Sequence, residues 1–158
     1  MGYVMECVFF GHRKIFYNDL RVKLYAVVED LINKGITNFK MGVHGAFDKM
    51  ALSVCEELRE KYKHINICVV FTSLNDLKQD PMGYSKVDLY KNVDTMFYGV
   101  EDIYFKKQIT ETNKRMIDDS DIVVCYYDKV SRSNGTKLAV KYALKKNKEI
   151  IYLYDTLP

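Results

Sequence analysis

The strongest constraint on this chain is an alternation repeated from end to end. Short apolar runs are each followed by a longer stretch whose apolar residues fall at helical spacing. The first run, Cys7-Val8-Phe9-Phe10, stops at Gly11. Beyond Asn18, Leu20, Leu24, Val27, Val28, Leu31 and Ile32 recur at steps of 4, 3, 1, 3 and 1, one face of a 3.6-residue period. Gly35 is then a suitable helix stop. Phe39–Val43 and Ile65–Phe71 form the next runs, separated by a helical pattern at Met50, Ala51, Val54, Cys55, Leu58 and Tyr62. Asp121–Tyr126 and Glu149–Tyr154 are the last runs, with helices expected over Lys107–Asp118 and Thr136–Lys146. Strands without a polar face are buried on both sides, as in a parallel sheet. The chain is therefore expected to be α/β, with a mostly parallel sheet of five to six strands and helices on both faces.

The segment 72–107 breaks the pattern. Asp80-Pro81-Met82-Gly83 signals a turn, and Tyr84, Tyr90, Phe97, Tyr98, Tyr104 and Phe105 concentrate aromatic area there. A short helix near Val87–Val93 and a short strand at Thr95–Tyr98 are expected, with loop around them. The aromatic rings are candidates to stack on a base, to cover the sheet edge or to form a homodimer contact.

At 158 residues the chain fits a single domain over 1–158 and can bury a core without disulfide or metal staples. Its net charge of +3 lacks the concentrated basic excess of nucleic-acid binders, and no basic run exceeds Lys145-Lys146 with its neighbour Lys148. Nucleic acid is accordingly not an expected partner. Neither is a membrane: no apolar stretch reaches the roughly 18 residues of a span, and Met1–Glu6 does not open a signal peptide. Cys7, Cys55, Cys68 and Cys125 show no metal-ligand or CxxC spacing and read as buried thiols of a cytoplasmic protein. No metal and no required cofactor are expected.

In a parallel sheet with right-handed crossovers, every strand-to-helix loop lies at the strands' C-terminal edge, where ligands bind. Three such loops carry chemistry. Gly11-His12-Arg13-Lys14 brings an imidazole, a guanidinium and an ammonium to the end of the first strand, suited to phosphate or carboxylate. Gly42-Val43-His44-Gly45-Ala46-Phe47-Asp48 opens a helix with two glycines, which let backbone amides approach an anion. Asp48 either bonds a ribose hydroxyl or caps the helix. Ser131-Arg132-Ser133-Asn134-Gly135-Thr136 opens another helix and reads as a second anion nest. No Lys follows Gly135, which excludes a Walker-type NTPase.

These loops resemble a known group. Phe10-Gly11-His12-Arg13 is similar to the "TGHR" of small SLOG-superfamily proteins, the Smf/DprA–LOG group that includes YpsA-like members. Gly42 to Ala51 resembles that group's "GGAxGxDxxA", matching at Gly42, Asp48 and Ala51. Asn113 to Asp121 resembles "RNxxMIDxSD" without its leading Arg, and Gly135-Thr136 with Tyr142-Ala143 is similar to the "GT" and "YA" of its last helix. The resemblance spans nearly the whole chain and implies a three-layer Rossmann-like fold that binds a nucleotide or nucleotide-derived ligand, as a sensor or binding module. Gly11, His12, Arg13, Gly42, His44, Gly45, Asp48, Asn113, Ser133, Gly135 and Thr136 are the implied ligand-binding residues.

The LOG branch cleaves the N-glycosidic bond of nucleoside monophosphates with an Arg and a Glu, positions held here by Thr112 and Ala139. Those departures speak against hydrolysis. The alternative function, a nucleoside monophosphate N-glycosidase or a deoxyribosyltransferase-like enzyme, would use Glu101, since an oxocarbenium-like state needs a carboxylate.

Overall fold

The computed structural model describes residues 5–15, 19–127 and 134–153. Strands β1 (Glu6–Gly11), β2 (Asn38–Met41), β3 (Asn66–Phe71), β4 (Asp94–Phe97), β5 (Ile122–Tyr126) and β6 (Glu149–Tyr152) form one six-stranded sheet in the order β4-β3-β2-β1-β5-β6. Every pairing is parallel. The expected α/β, Rossmann-like architecture is thus present, with the upper strand number and no antiparallel member.

Helices α1 (Leu20–Asn33) and α2 (Ala46–Lys61) cover one face, and α3 (Gln108–Asp118) and α4 (Asn134–Lys145) cover the other. Residue alternation along β1 assigns the faces: Cys7 and Phe9 join the core under α1 and α2, while Val8 and Phe10 join the core under α3 and α4. Leu20, Leu24, Val28, Leu31 and Ile32 of α1 are buried, as the period requires, and Val27 sits at the margin. In α2 the buried stripe is Phe47, Asp48, Ala51, Val54, Cys55 and Leu58, whereas Met50 and Tyr62 are only partly buried. Tyr62 falls just past the helix end, and both residues pack against the core from its margin.

The chain runs outward from β1 to β4, then crosses back to lay β5 on the free side of β1. The crevice between loops leaving β1 and β5 in opposite directions is where sheets of this class bind ligands. The link from β3 to β4 contains no α-helix. Two 3-10 turns, Leu74–Leu77 and Lys86–Leu89, take the place of the helix expected near Val87–Val93. Ser85 and Asp88 close the second of these with a reciprocal capping box.

The aromatic cluster divides between two roles. Phe97 stacks on Phe71 at 5.6 Å and Tyr90 meets the same ring edge-on at 5.3 Å, so these two finish the core at the sheet margin. Tyr84, Tyr104 and Phe105 stay exposed.

One polar network lies inside the second face. Lys40 Nζ is 3.0 Å from Glu6 Oε1, with both side chains largely buried. Lys40 also donates to the Tyr98 hydroxyl, which donates to Asp119. Burial pushes the Glu6 carboxyl up, against the pull of Lys40. The cysteines are free thiols, with Cys7, Cys55 and Cys125 buried, and burial raises each of them, Cys68 to about 11 and Cys125 to about 12. Thiols held that high are poor nucleophiles at neutral pH. Among the described residues no helix is long and apolar enough to cross a membrane.

Candidate functional site

Strand β1 ends in Gly11, and the reason is steric. A Cβ at Gly11 would lie 2.3 Å from the ring of Phe47 in the first turn of α2. The strand can pass the helix start only without a side chain there. Arg13 follows on the loop, and its carbonyl accepts the Ala46 amide at 2.9 Å. Gly45 makes that junction possible: its φ is +105°, and a Cβ would sit 2.6 Å from Arg13 Cα. The first two loops are therefore fastened to each other, and the Arg13 side chain is left exposed at their junction.

A cleft of about 80 Å³ opens beside this junction. Gly11 and Arg13 of the first loop line it, with Gly42, His44 and Asp48 of the second. Gly135 and Thr136 close it from the start of α4, and Asn113 from α3. Eight of the residues singled out from sequence thus meet at one place, on the crevice where the sheet reverses direction. Ser133 lies outside the described residues, as do Ser131 and Arg132.

Three expected residues behave differently. His12 does not line the cleft; it is 3% exposed and packs edge-on to Tyr126 at 5.6 Å and beside Tyr127 at 5.8 Å. It follows the last β1 residue and turns inward against the neighbouring strand's end, leaving the cleft to Arg13. Gly45 likewise contributes backbone geometry to the junction with Arg13 rather than a surface of the cleft. Glu101 lines an adjoining hollow together with His44 and Ile109, both of which also border the cleft.

Asp48 is the most perturbed group at the site. Its Oδ2 accepts the His44 amide at 2.8 Å and lies 3.0 Å from where a Gly42 Cβ would be. It reaches back past the helix start to brace the loop, while Gly45 at the N-cap has no side-chain cap. Burial raises its carboxyl to about 7, against the lowering effect of the His44 amide and the Arg13 charge. Its protonation therefore changes near neutrality. His44 is held below its ordinary value by burial and by Arg13, so its imidazole is neutral, and its Nε2 is 3.3 Å from the Thr72 hydroxyl.

Sequence reasoning missed Phe9, Phe10 and Ile109 in the cleft and Thr72, Leu74 and Asp76 in the hollow. Ile109 could have been found from Asn113, one helical turn later on the same face. Thr72 and its neighbours leave the C-terminal end of β3, the edge that carries the other loops.

The positions corresponding to the LOG hydrolases' Arg and Glu face the interior. Thr112 is 2% and Ala139 4% exposed, and Ala139 belongs to the core beneath α3 and α4. Neither lines the cleft.

A doubly wound parallel sheet with a glycine-bordered, arginine-bearing cleft at its switch point defines a Rossmann-like α/β protein. Within that class, the chain belongs to the YspA SLOG family (YpsA), whose model matches residues 2–157. It is also similar to two solved structures of the molybdenum cofactor carrier protein from Chlamydomonas reinhardtii. The first has 12% identity and a TM-score of 0.53, covering 94% of this chain and 76% of that one. The second has 15% identity and a TM-score of 0.53, covering 95% and 76%. At such identity the likeness is one of fold. No curated protein matches the chain.

Proposed function

We propose that this protein binds a nucleotide or nucleotide-derived ligand at the C-terminal edge of its sheet, as a sensor or binding module. The observation that carries the reading is the convergence of three separate loops on one cleft, with Arg13 in its lining. An anionic group bound there meets Arg13 and the amides at the start of α4, whose Gly135 has open space where a Cβ would stand. Asp48, when protonated, offers a donor to the same anion, and when ionised an acceptor for a ribose hydroxyl. The description of the fold neighbours as cofactor carriers supports a small-molecule role. The test is thermal unfolding of the purified protein with nucleoside mono- and diphosphates, ADP-ribose and NAD. A ligand of the native state raises the midpoint by mass action; no shift with any of them overturns the reading.

A second reading, N-glycosidic cleavage, draws on the position of Glu101 beside His44 in the adjoining hollow. Release of free base from nucleoside monophosphates, abolished by Glu101→Gln, would establish it. The interior placement of Thr112 and Ala139 favours binding over hydrolysis.

A further inference from the structure

The cleft at Arg13 is too small for the ligand assigned to it. Its volume of about 80 Å³ suits a small anionic group such as a phosphate. Sites for whole small molecules run from about 300 to 1,000 Å³. A nucleotide anchored by its phosphate must place its ring elsewhere. The hollow that shares His44 and Ile109 with the cleft has about 450 Å³ and lies directly alongside.

The walls of that hollow have a definite chemistry. Phe105 is 67% and Leu74 46% exposed, so a flat apolar ligand would cover surface that now faces water. The same lining carries acceptors. Asp76 and Glu101 contribute carboxylates, and the Asp76 side chain is only 15% exposed, tethered through Oδ1 to Lys86 at 3.6 Å. Gln108 gives one of its two amide N–H groups to the Ile103 carbonyl at 3.0 Å, which orients its side chain. His44 Nε2 is engaged with Thr72. Thr72, Ser73, Asn75 and Gln108 can donate or accept, so the two carboxylates set the preference, and they favour a ring edge that presents donors.

Among the common bases, guanine alone pairs a ring N1–H with a neighbouring 2-amino group, two donors that one carboxylate can accept together. Adenine and cytosine set a ring acceptor beside their amino group, and that lone pair would face the carboxylate. We infer that the hollow beside the cleft is a base-reading subsite for guanine, with Asp76 accepting from the N1–H and 2-amino edge, Glu101 supporting it at the rim, and Phe105 against the ring face. The inference rests on the proposed anchoring of an anionic group at Arg13.

Calorimetric titration with GMP, IMP, AMP and inorganic pyrophosphate tests it. GMP should bind about tenfold or more tightly than IMP, which lacks only the 2-amino group, and than AMP, the scale of one charge-assisted hydrogen bond. Asp76→Asn should bring GMP and IMP to within about twofold of each other while leaving pyrophosphate affinity as in the parent. Phe105→Ala should weaken all three nucleotides and not pyrophosphate. Equal binding of GMP, IMP and AMP, or preference for AMP, overturns the guanine subsite and leaves the anion cleft standing. Absence of binding by nucleotides and pyrophosphate alike overturns both.

Discussion

The carboxylate of Asp48 and the backbone amide of His44 are joined by a 2.8 Å hydrogen bond across the turn between β2 and α2. That bond braces a buried acid at the cleft, and the burial, acting against the bond, makes the acid sensitive to pH near neutrality. In the folded protein the carboxyl titrates near 7, raised from an ordinary value of 3.8. Between those two pH values the unfolded chain has lost the proton and the folded chain has kept it. Stability therefore falls as pH rises through this window and levels off above 7, each pKa unit being worth about 1.4 kcal/mol. Urea denaturation from pH 4 to 8 should show the decline. Asp48→Asn, which keeps an acceptor for His44, should flatten it.

The same group should couple ligand binding to pH. A bound anion favours the neutral carboxyl, so affinity for pyrophosphate falls as pH rises through 7, and proton uptake accompanies binding. Titrations in buffers of different ionisation enthalpy measure that uptake directly. A parent protein that takes up no more protons than Asp48→Asn would exclude the coupling.

Arg13 is exposed and its backbone, not its side chain, secures the loop junction. Arg13→Ala should thus weaken anion binding by about tenfold or more while moving stability by no more than about 0.5 kcal/mol. Calorimetry and thermal unfolding on the same preparation separate the two effects.

Gly35 and Gly45 both have φ near +105°, but only Gly45 is crowded, by Arg13. Gly35→Ala should cost about 1 kcal/mol for its backbone conformation alone. Gly45→Ala adds the clash and should cost about 2–4 kcal/mol while loosening anion binding. Urea midpoints of the two variants make the comparison; equal losses would refute the close approach of the two loops.

Within the sheet, removing one member of the Glu6–Lys40 pair leaves a buried polar group without its counterpart. Lys40→Met alone should cost about 3–5 kcal/mol, whereas Glu6→Leu combined with Lys40→Met should recover most of that loss. A double-mutant cycle by urea denaturation reports the coupling.

The fold was legible because its determinants are local and periodic: apolar runs such as Val123-Val124-Cys125 and the α1 stripe need no partner to be read. Much of the cleft was legible for a related reason. Gly11, Gly42 and Gly135 punctuate strand-to-helix turns, and parallel topology sends all such turns to one edge. Side-chain direction past a strand end was not legible. Nothing in Gly11-His12-Arg13 tells which of two adjacent polar residues turns inward; the ring of Tyr126, supplied 114 positions later, decides it for His12. The role of Asp48 was likewise left between ribose and cap, because its partner His44 is chosen by the path of the loop. The irregular segment hid the hollow, whose walls come from Asp76 and Phe105 on turns too short to have a period.

The cleft also has a temporal consequence. Its two sides, Gly11 on one and Gly135 with Thr136 on the other, are separated by most of the chain, and β1 acquires its second neighbour only when β5 inserts beside it. Contacts of such long sequence separation are slow to form. A nascent or partly refolded chain that has assembled β1 to β4 still lacks the α4 side of the cleft. On the proposed function, ligand capture is reserved for molecules that have completed the sheet, and recovery of binding during refolding should trail the recovery of helical signal.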